Sequence, residues 1–102
     1  MNSITPADYA ASDLGEHILL DVRQPEEWTS AHVEGATLIP LGELVARLDE
    51  VPADLPLYVM CHAGGRSTQA TAYLEQAGYD ATNIDGGITA WIESGLPVRH
   101  GA

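Results

Sequence analysis

A single cysteine, Cys61, closes the apolar run Leu57-Tyr58-Val59-Met60 and is followed at once by His62-Ala63-Gly64-Gly65-Arg66-Ser67. The thiolate is the reactive form of such a residue, yet a free thiol titrates near ~8.5 and is mainly protonated at neutral pH. Each tenfold gain in thiolate needs about 1.4 kcal/mol of preference for the charged form. Hydrogen bonds to a charged group contribute ~1.5–3 kcal/mol each, and a helix N-terminus gives up to ~2 kcal/mol. Small residues at 63, 64 and 65 let the backbone curl tightly, with its amide hydrogens pointing inward as an anion-binding nest. A helix starting near Arg66 adds unpaired N–H groups at the same place. Two or three such donors are enough to hold a charged sulfur.

An inert cysteine buried behind a strand needs none of this setting. The loop therefore reads as covalent catalysis with Cys61 as nucleophile and the amides of residues 62–66 as its cradle. Arg66 is placed to orient the loop or to meet an anionic substrate. Ser67 either supplies a hydroxyl to the thiolate or caps the helix. His62 adjoins the nucleophile in sequence, but neighbouring side chains diverge, so it is not assigned as general base. Asp21 and Arg23 end another apolar run. Asp21 is read as fixing the turn after its strand, and Arg23 as a candidate contact for an anionic substrate. His32 reads as a scaffold hydrogen-bonder, and Trp28, Tyr79 and Trp91 as packing residues. The four histidines and the cysteine are too scattered for a zinc site.

The elements that must hold these residues follow from pattern. A helix begins at Pro6 with Thr5 as N-cap and with Ala7, Ala10, Ala11 and Leu14 on one face. Ile18–Val22 is a buried strand, Pro25 opens a short helical segment over Glu26–Ala31, and Thr37–Ile39 is a strand closed by Pro40. Leu41, Leu44, Val45 and Leu48 recur at i, i+3, i+4 and i+7, which predicts an amphipathic helix. Asp49–Pro56 is a loop with prolines as breakers. Leu57–Met60 is the clearest strand, and a helix runs from Ser67 to Ala77, with Ala70, Tyr73, Leu74 and Ala77 inward and Gly78 as its stop. Ala81–Ile84 is a further strand. After the Gly86-Gly87 turn comes a short helix with Ile88, Trp91 and Ile92 on its inner face. Strands alternating with helices at this spacing predict an α/β fold, a mostly parallel sheet with helices on both faces. Sites in such sheets lie beyond the carboxyl ends of strands, where the Asp21-Val22-Arg23 segment and the Cys61 loop both fall.

The whole chain bounds the answer further. Its 102 residues, with no repeat, low-complexity tract or linker, predict one domain over residues 1–102. It has 45% hydrophobic residues and no run approaching the ~20 needed to span a bilayer. The N-terminus lacks the basic start and apolar stretch of a signal peptide, and one cysteine allows no internal disulfide, so a cytoplasmic location is expected. The net charge of −11, with four arginines and no lysine, opposes nucleic-acid and acidic-membrane binding. Any anion site must rest on local donors.

Cys61-His62-Ala63-Gly64-Gly65-Arg66-Ser67 resembles the active-site loop of rhodanese domains, where cysteine and arginine bracket a six-residue cradle. Leu20-Asp21-Val22-Arg23-Gln24-Pro25-Glu26-Glu27-Trp28, His32-Val33-Glu34-Gly35-Ala36 and Ile39-Pro40 resemble the family's first signature. Ala77-Gly78-Tyr79, Ile84-Asp85-Gly86-Gly87 and Trp91 resemble its second. These stretches keep the family's order and spacing over residues 4–98; Ala31 departs from it, standing before His32 where glycine is commoner. The resemblance implies a three-layer α/β/α fold with a central sheet of four to five strands. It also implies sulfur transfer: Cys61 takes a sulfane sulfur from a donor such as thiosulfate, carries it as a persulfide, and yields it to cyanide or an acceptor thiol. No cofactor or metal is implied. The expected partners are a small anionic sulfur donor and an acceptor thiol or small redox protein, with a monomer permitted. Two other readings use the same features. Cysteine phosphatases and arsenate reductases also pair cysteine and arginine around a helix start, but with five intervening residues; here only His62, Ala63, Gly64 and Gly65 intervene, a ring better sized for sulfur than for phosphate. A non-catalytic docking module would often lack the cysteine, which this chain keeps.

Overall fold

The computed structural model describes residues 1–101; the expected domain's last position, 102, lies outside the described residues. Five strands form one sheet: β1 (Asn2–Ile4), β2 (Ile18–Asp21), β3 (Thr37–Leu38), β4 (Leu57–Met60) and β5 (Ala81–Ile84). Their order is β1-β5-β4-β2-β3, and every pairing is parallel. Three α-helices lie between strands, α1 (Pro6–Ala11), α2 (Pro25–Ser30) and α3 (Gly65–Gln76), and α4 (Gly87–Glu93) follows β5.

Side chains alternate across a strand, and the central strands supply two cores accordingly. Leu20, Val59, Cys61, Ala70 and Leu74 share the cluster under α3. Leu19, Met60, Ile84, Ile88 and Trp91 form the other, with α4 and, through Tyr9, α1 over it. The expected α/β/α layering is therefore present. The chain leaves β2 for β3 on one side and then returns to β4 on the other, so the order switches between β2 and β4. Asp21 stands opposite Met60 in that register, and the Val22 amide donates to the Met60 carbonyl at 3.0 Å. The two segments singled out in the sequence thus meet at the switch point, where α/β sheets place their ligands.

Several local expectations change. The segment from Leu41 to Leu48 is not an α-helix but two 3-10 turns, Leu41–Glu43 and Leu48–Glu50, joined by turn residues. Leu44 is buried and Leu41 and Leu48 pack against the same core, but Val45 is 68% exposed. In α1 the inward residues are Pro6 and Tyr9, while Ala7, Ala10 and Ala11 are exposed and Leu14 lies beyond the helix. The helix after the cysteine starts at Gly65 rather than Ser67, and Ala77 and Ile92 are exposed rather than inward. The edge strand β1 has no counterpart in the sequence reading: Asn2-Ser3-Ile4 carries no apolar alternation, and its pairing with β5 selects it.

Candidate active site

Cys61 sits where β4 ends and is 1% exposed. Gly64, at φ +119° and serving as N-cap of α3, turns the chain back over the sulfur. Its amide donates to Cys61 Sγ at 3.1 Å. Ser67 Oγ lies 3.4 Å from the same sulfur and 3.2 Å from the Gly64 carbonyl oxygen, to which it donates. Burial pushes the Cys61 thiol up, but the Ser67 hydroxyl and the amides of Ser67, Gly64 and Ala63 outweigh it, and the net shift is downward. Of the amides expected in the cradle, those of Ala63 and Gly64 act on the sulfur together with the amide of Ser67, one residue past the expected span. The hydroxyl's two partners imply a proton rearrangement. While Cys61 is a thiol, its S–H donates to Ser67 Oγ; once ionised, the sulfur can only accept, and the Ser67 proton turns toward it.

The loop is held from outside by α4. The Ile88 amide donates to the Cys61 carbonyl at 2.8 Å and the Thr89 amide to the His62 carbonyl at 3.1 Å. His62 itself is exposed and points to no hydrogen-bond partner of the thiol.

The two arginines of the site differ from what their types suggest. Arg23, the candidate substrate contact, is 2% exposed and locked to Asp21, with Nε 2.9 Å and Nη2 2.7 Å from the carboxylate. Its remaining donors reach the carbonyls of Glu27 at 3.2 Å and Ala31 at 2.7 Å. Asp21 also accepts from the Arg23 amide at 3.0 Å, so it does fix the turn after β2. The pair ties β2 to α2. Arg66 projects from the first turn of α3 to α2, where Nη1 and Nη2 grip the two carboxylate oxygens of Glu27 at 2.6 and 2.7 Å. The Arg66 guanidinium holds the Glu27 carboxyl well down, to about 2, against the opposing effect of burial.

Glu27 was not among the residues assigned a role in the sequence. It is N3 of α2, and its Oε1 also accepts from the Gln24 amide at 3.0 Å, the reciprocal half of a capping box. That box is a local signal, and it could have marked the Glu27 side chain as fixed. Its partner 39 positions away has no local signature. His32 is buried, donates from Nδ1 to the Trp28 carbonyl at 3.0 Å and stacks on the Trp28 ring with centroids 4.2 Å apart, in a scaffold position. A recess of about 240 Å³ opens beside the loop, with Arg23, Glu27, Ala31, His62, Ile88 and Ile92 in its wall. Among the described residues, no group of three or more histidine, cysteine or acidic side chains could hold a metal ion, and no helix is long and apolar enough to cross a membrane.

Known proteins share this sequence and geometry. The model of the rhodanese-like domain family matches residues 7–94. A sulfurtransferase of Allochromatium vinosum is 38% identical over 88 residues, which cover 85% of this chain and 82% of that protein. A probable adenylyltransferase/sulfurtransferase of Mycobacterium tuberculosis, MoeZ, is 41% identical over 85 residues; the match covers 78% of this chain and spans 21% of MoeZ. The crystal structure of a rhodanese-related protein from Thermoplasma volcanium aligns with a TM-score of 0.91 at 33% identity, over 97% of this chain and 98% of that one.

Proposed function

This chain belongs to the rhodanese-like domain family, and on that premise we propose that it is a sulfurtransferase in which Cys61 carries the sulfur. The thiolate attacks the outer, sulfane sulfur of a donor; with thiosulfate the sulfur–sulfur bond breaks and its electron pair leaves with sulfite. Cys61 then holds a persulfide. A nucleophile, cyanide or an acceptor thiol, attacks the terminal sulfur and the Cys61 thiolate departs, ready for the next turn. The attacking form is the thiolate, which the cradle favours, so no general base is assigned, and no metal or organic cofactor enters the scheme.

The observation that carries this reading is the setting of one sulfur at the start of a twelve-residue helix, where the Gly64 amide donates to it at 3.1 Å and the Ser67 hydroxyl lies 3.4 Å away. Such donors favour a charged sulfur in both states of the cycle, as thiolate and as persulfide anion. A terminal sulfur added to Cys61 would extend toward the first amides of α3, which no intrahelical carbonyl satisfies. In this reading Ala63 and Gly65 are the small residues that leave room for it, Arg66 orients the loop through Glu27, and the Asp21–Arg23 pair fixes the neighbouring strand end. The site as a whole is proposed to act on small donors and on acceptor thiols, free or on a redox protein, in a cytoplasmic setting, with residues 1–102 acting as one domain and as a monomer.

Intact-mass measurement after incubation with millimolar thiosulfate tests this. One added sulfur is expected, reversed by cyanide with formation of thiocyanate and absent in Cys61→Ser. Turnover of aryl phosphate with no sulfur gained by Cys61 would overturn the proposal.

A further inference from the structure

Asn83 lies in β5 beside Val59 of β4, and only 5% of it is exposed. Ala81, two residues earlier on the same face, belongs with Val59 to the apolar cluster under α3 that also holds Cys61. A carboxamide is out of place there. Its Nδ2 donates to Asp85 Oδ1 at 3.1 Å, and its own Oδ1 finds no donor among the described residues. Turning the amide over would set that oxygen against the Asp85 carboxylate, which only accepts, so the bond to Asp85 fixes which way the group faces. A buried acceptor without a partner costs stability that an aliphatic side chain of similar shape would not. Packing alone therefore does not account for asparagine at this position.

The far end of that bond leads to the nucleophile loop. The Asp85 amide donates to the Ile4 carbonyl at 2.8 Å, and the chain then enters the Gly86-Gly87 turn, with φ +77° and +57°. A Cβ on Gly64 would come 3.6 Å from the Gly86 nitrogen, and Gly64 is the residue whose amide donates to Cys61 Sγ. Directly after the turn, the Ile88 and Thr89 amides bond the Cys61 and His62 carbonyls at 2.8 and 3.1 Å. The turn thus packs on a donor of the cradle and leads into the bonds that hold the nucleophile's own backbone. Two successive glycines have little conformational restraint of their own, and a donor stabilises charge best when it is already aligned.

We propose that Asn83 is a positioning residue for Cys61: through Asp85 it holds the Gly86-Gly87 turn, and the turn keeps the Gly64 amide and the Cys61 backbone in the geometry that favours a charged sulfur. The proposal rests on the reading of Cys61 as the nucleophile. With the turn loosened, the Gly64 N–H swings away from the sulfur. The thiolate then loses more than the thiol, because hydrogen bonds to the charged form are the stronger ones.

The test follows Cys61 alkylation by iodoacetamide against pH, with urea unfolding of each variant alongside. Asn83→Leu removes the carboxamide together with its unpaired oxygen. It should slow alkylation at pH 7 by roughly threefold to tenfold, the larger figure being full loss of one hydrogen bond to a charged group. The profile should move to the alkaline side while the unfolding midpoint stays or rises, a combination that a purely structural role does not produce. Should leucine disturb the fold, the exposed Asp85 decides alone. Asp85→Asn and Asp85→Ala both remove the charge, but only Asp85→Asn keeps an oxygen for Asn83 Nδ2. Asp85→Ala should react more slowly than Asp85→Asn, with its profile further to the alkaline side. In the Asn83→Leu background that difference should vanish. Coincident profiles for the two Asp85 variants, or an unmoved profile in a folded Asn83→Leu, overturn the proposal. Alkylation needs no sulfur donor, so failure of thiosulfate to load the unaltered protein would remove the sulfur-transfer reading and leave this comparison intact.

Discussion

Ser67 is the residue for which the sequence left open capping or service to the thiolate; the N-cap of α3 is Gly64, with no side-chain cap bond, and the Ser67 hydroxyl lies at the sulfur. Its hydroxyl stands between the Gly64 carbonyl at 3.2 Å and the Cys61 sulfur at 3.4 Å, and the side chain is fully buried. Removing the hydroxyl takes a donor from the thiolate and leaves the amides of Ala63, Gly64 and Ser67 in place. One hydrogen bond to a charged group contributes about 1.5 kcal/mol at the lower end, so Ser67→Ala should slow alkylation of Cys61 by iodoacetamide at pH 7 roughly tenfold. The pH profile of alkylation should move to the alkaline side, since the thiolate loses a charge-assisted hydrogen bond, stronger than the S–H bond that the thiol loses. An unchanged profile would leave the hydroxyl with its bond to the Gly64 carbonyl alone. Cys61, Gly64 and Ser67 were legible in the sequence because they lie within one short loop, where spacing constrains geometry. The engagement of Arg23 was not, because its partners Asp21, Glu27 and Ala31 come together only when α2 folds back onto the end of β2.

At the scale of elements, α4 determines the shape of the loop it never belongs to in sequence. Its entry residue Gly87 has φ +57°, and a side chain there would press on the Cys61 carbonyl oxygen, with the carbonyl carbons of Cys61 and His62 each 2.8 Å from the new Cβ. Backbone, not a flexible side chain, fills that space, so the contact cannot be relieved cheaply. The left-handed conformation alone costs about 1–2 kcal/mol in a residue with a Cβ, and overpacking adds about 1–3 kcal/mol. Gly87→Ala should therefore lose about 2–5 kcal/mol in urea unfolding and also lose sulfur loading, because relief requires α4 to part from Cys61. Gly65→Ala is the control: a Cβ there meets nothing within 4 Å, and stability should stay within about 0.5 kcal/mol. The elements that position the site were the legible ones. β2, β4, β5 and α3 are buried on both faces or strongly periodic, and pattern reads burial. The segment from Leu41 to Leu48 carried the right spacing for a helix, yet only part of its apolar stripe finds a surface: Leu44 is buried while Val45 faces solvent. Periodicity there marked Leu41, Leu44 and Leu48 as residues that pack against the core, but not the 3-10 turns that carry them.

At the scale of the whole molecule, fifteen acidic side chains against four arginines make the chain repel itself at neutral pH. Acidification toward the isoelectric point near 4.3 relieves that repulsion, and the Glu27–Arg66 pair acts in the opposite sense. Glu27 is held near 2 in the folded chain against an ordinary value of 4.5. The folded state thus favours the charged carboxylate, and the resulting stability is fully present above about pH 4.5. It is lost as pH falls from there through 2, where the folded-state carboxylate protonates as well. Both side chains remain about a third exposed, at 29% and 33%, so solvent screening limits the contribution to on the order of 1–2 kcal/mol. The general repulsion is nearly common to the natural chain and to Glu27→Gln and largely cancels in their difference. Urea unfolding of the two at a series of pH values should show a gap that is constant above about pH 5 and closes toward pH 2. A gap independent of pH would mean that the Glu27 carboxylate contributes through packing and its bond to the Gln24 amide, with its charge and the link to Arg66 adding nothing to the fold.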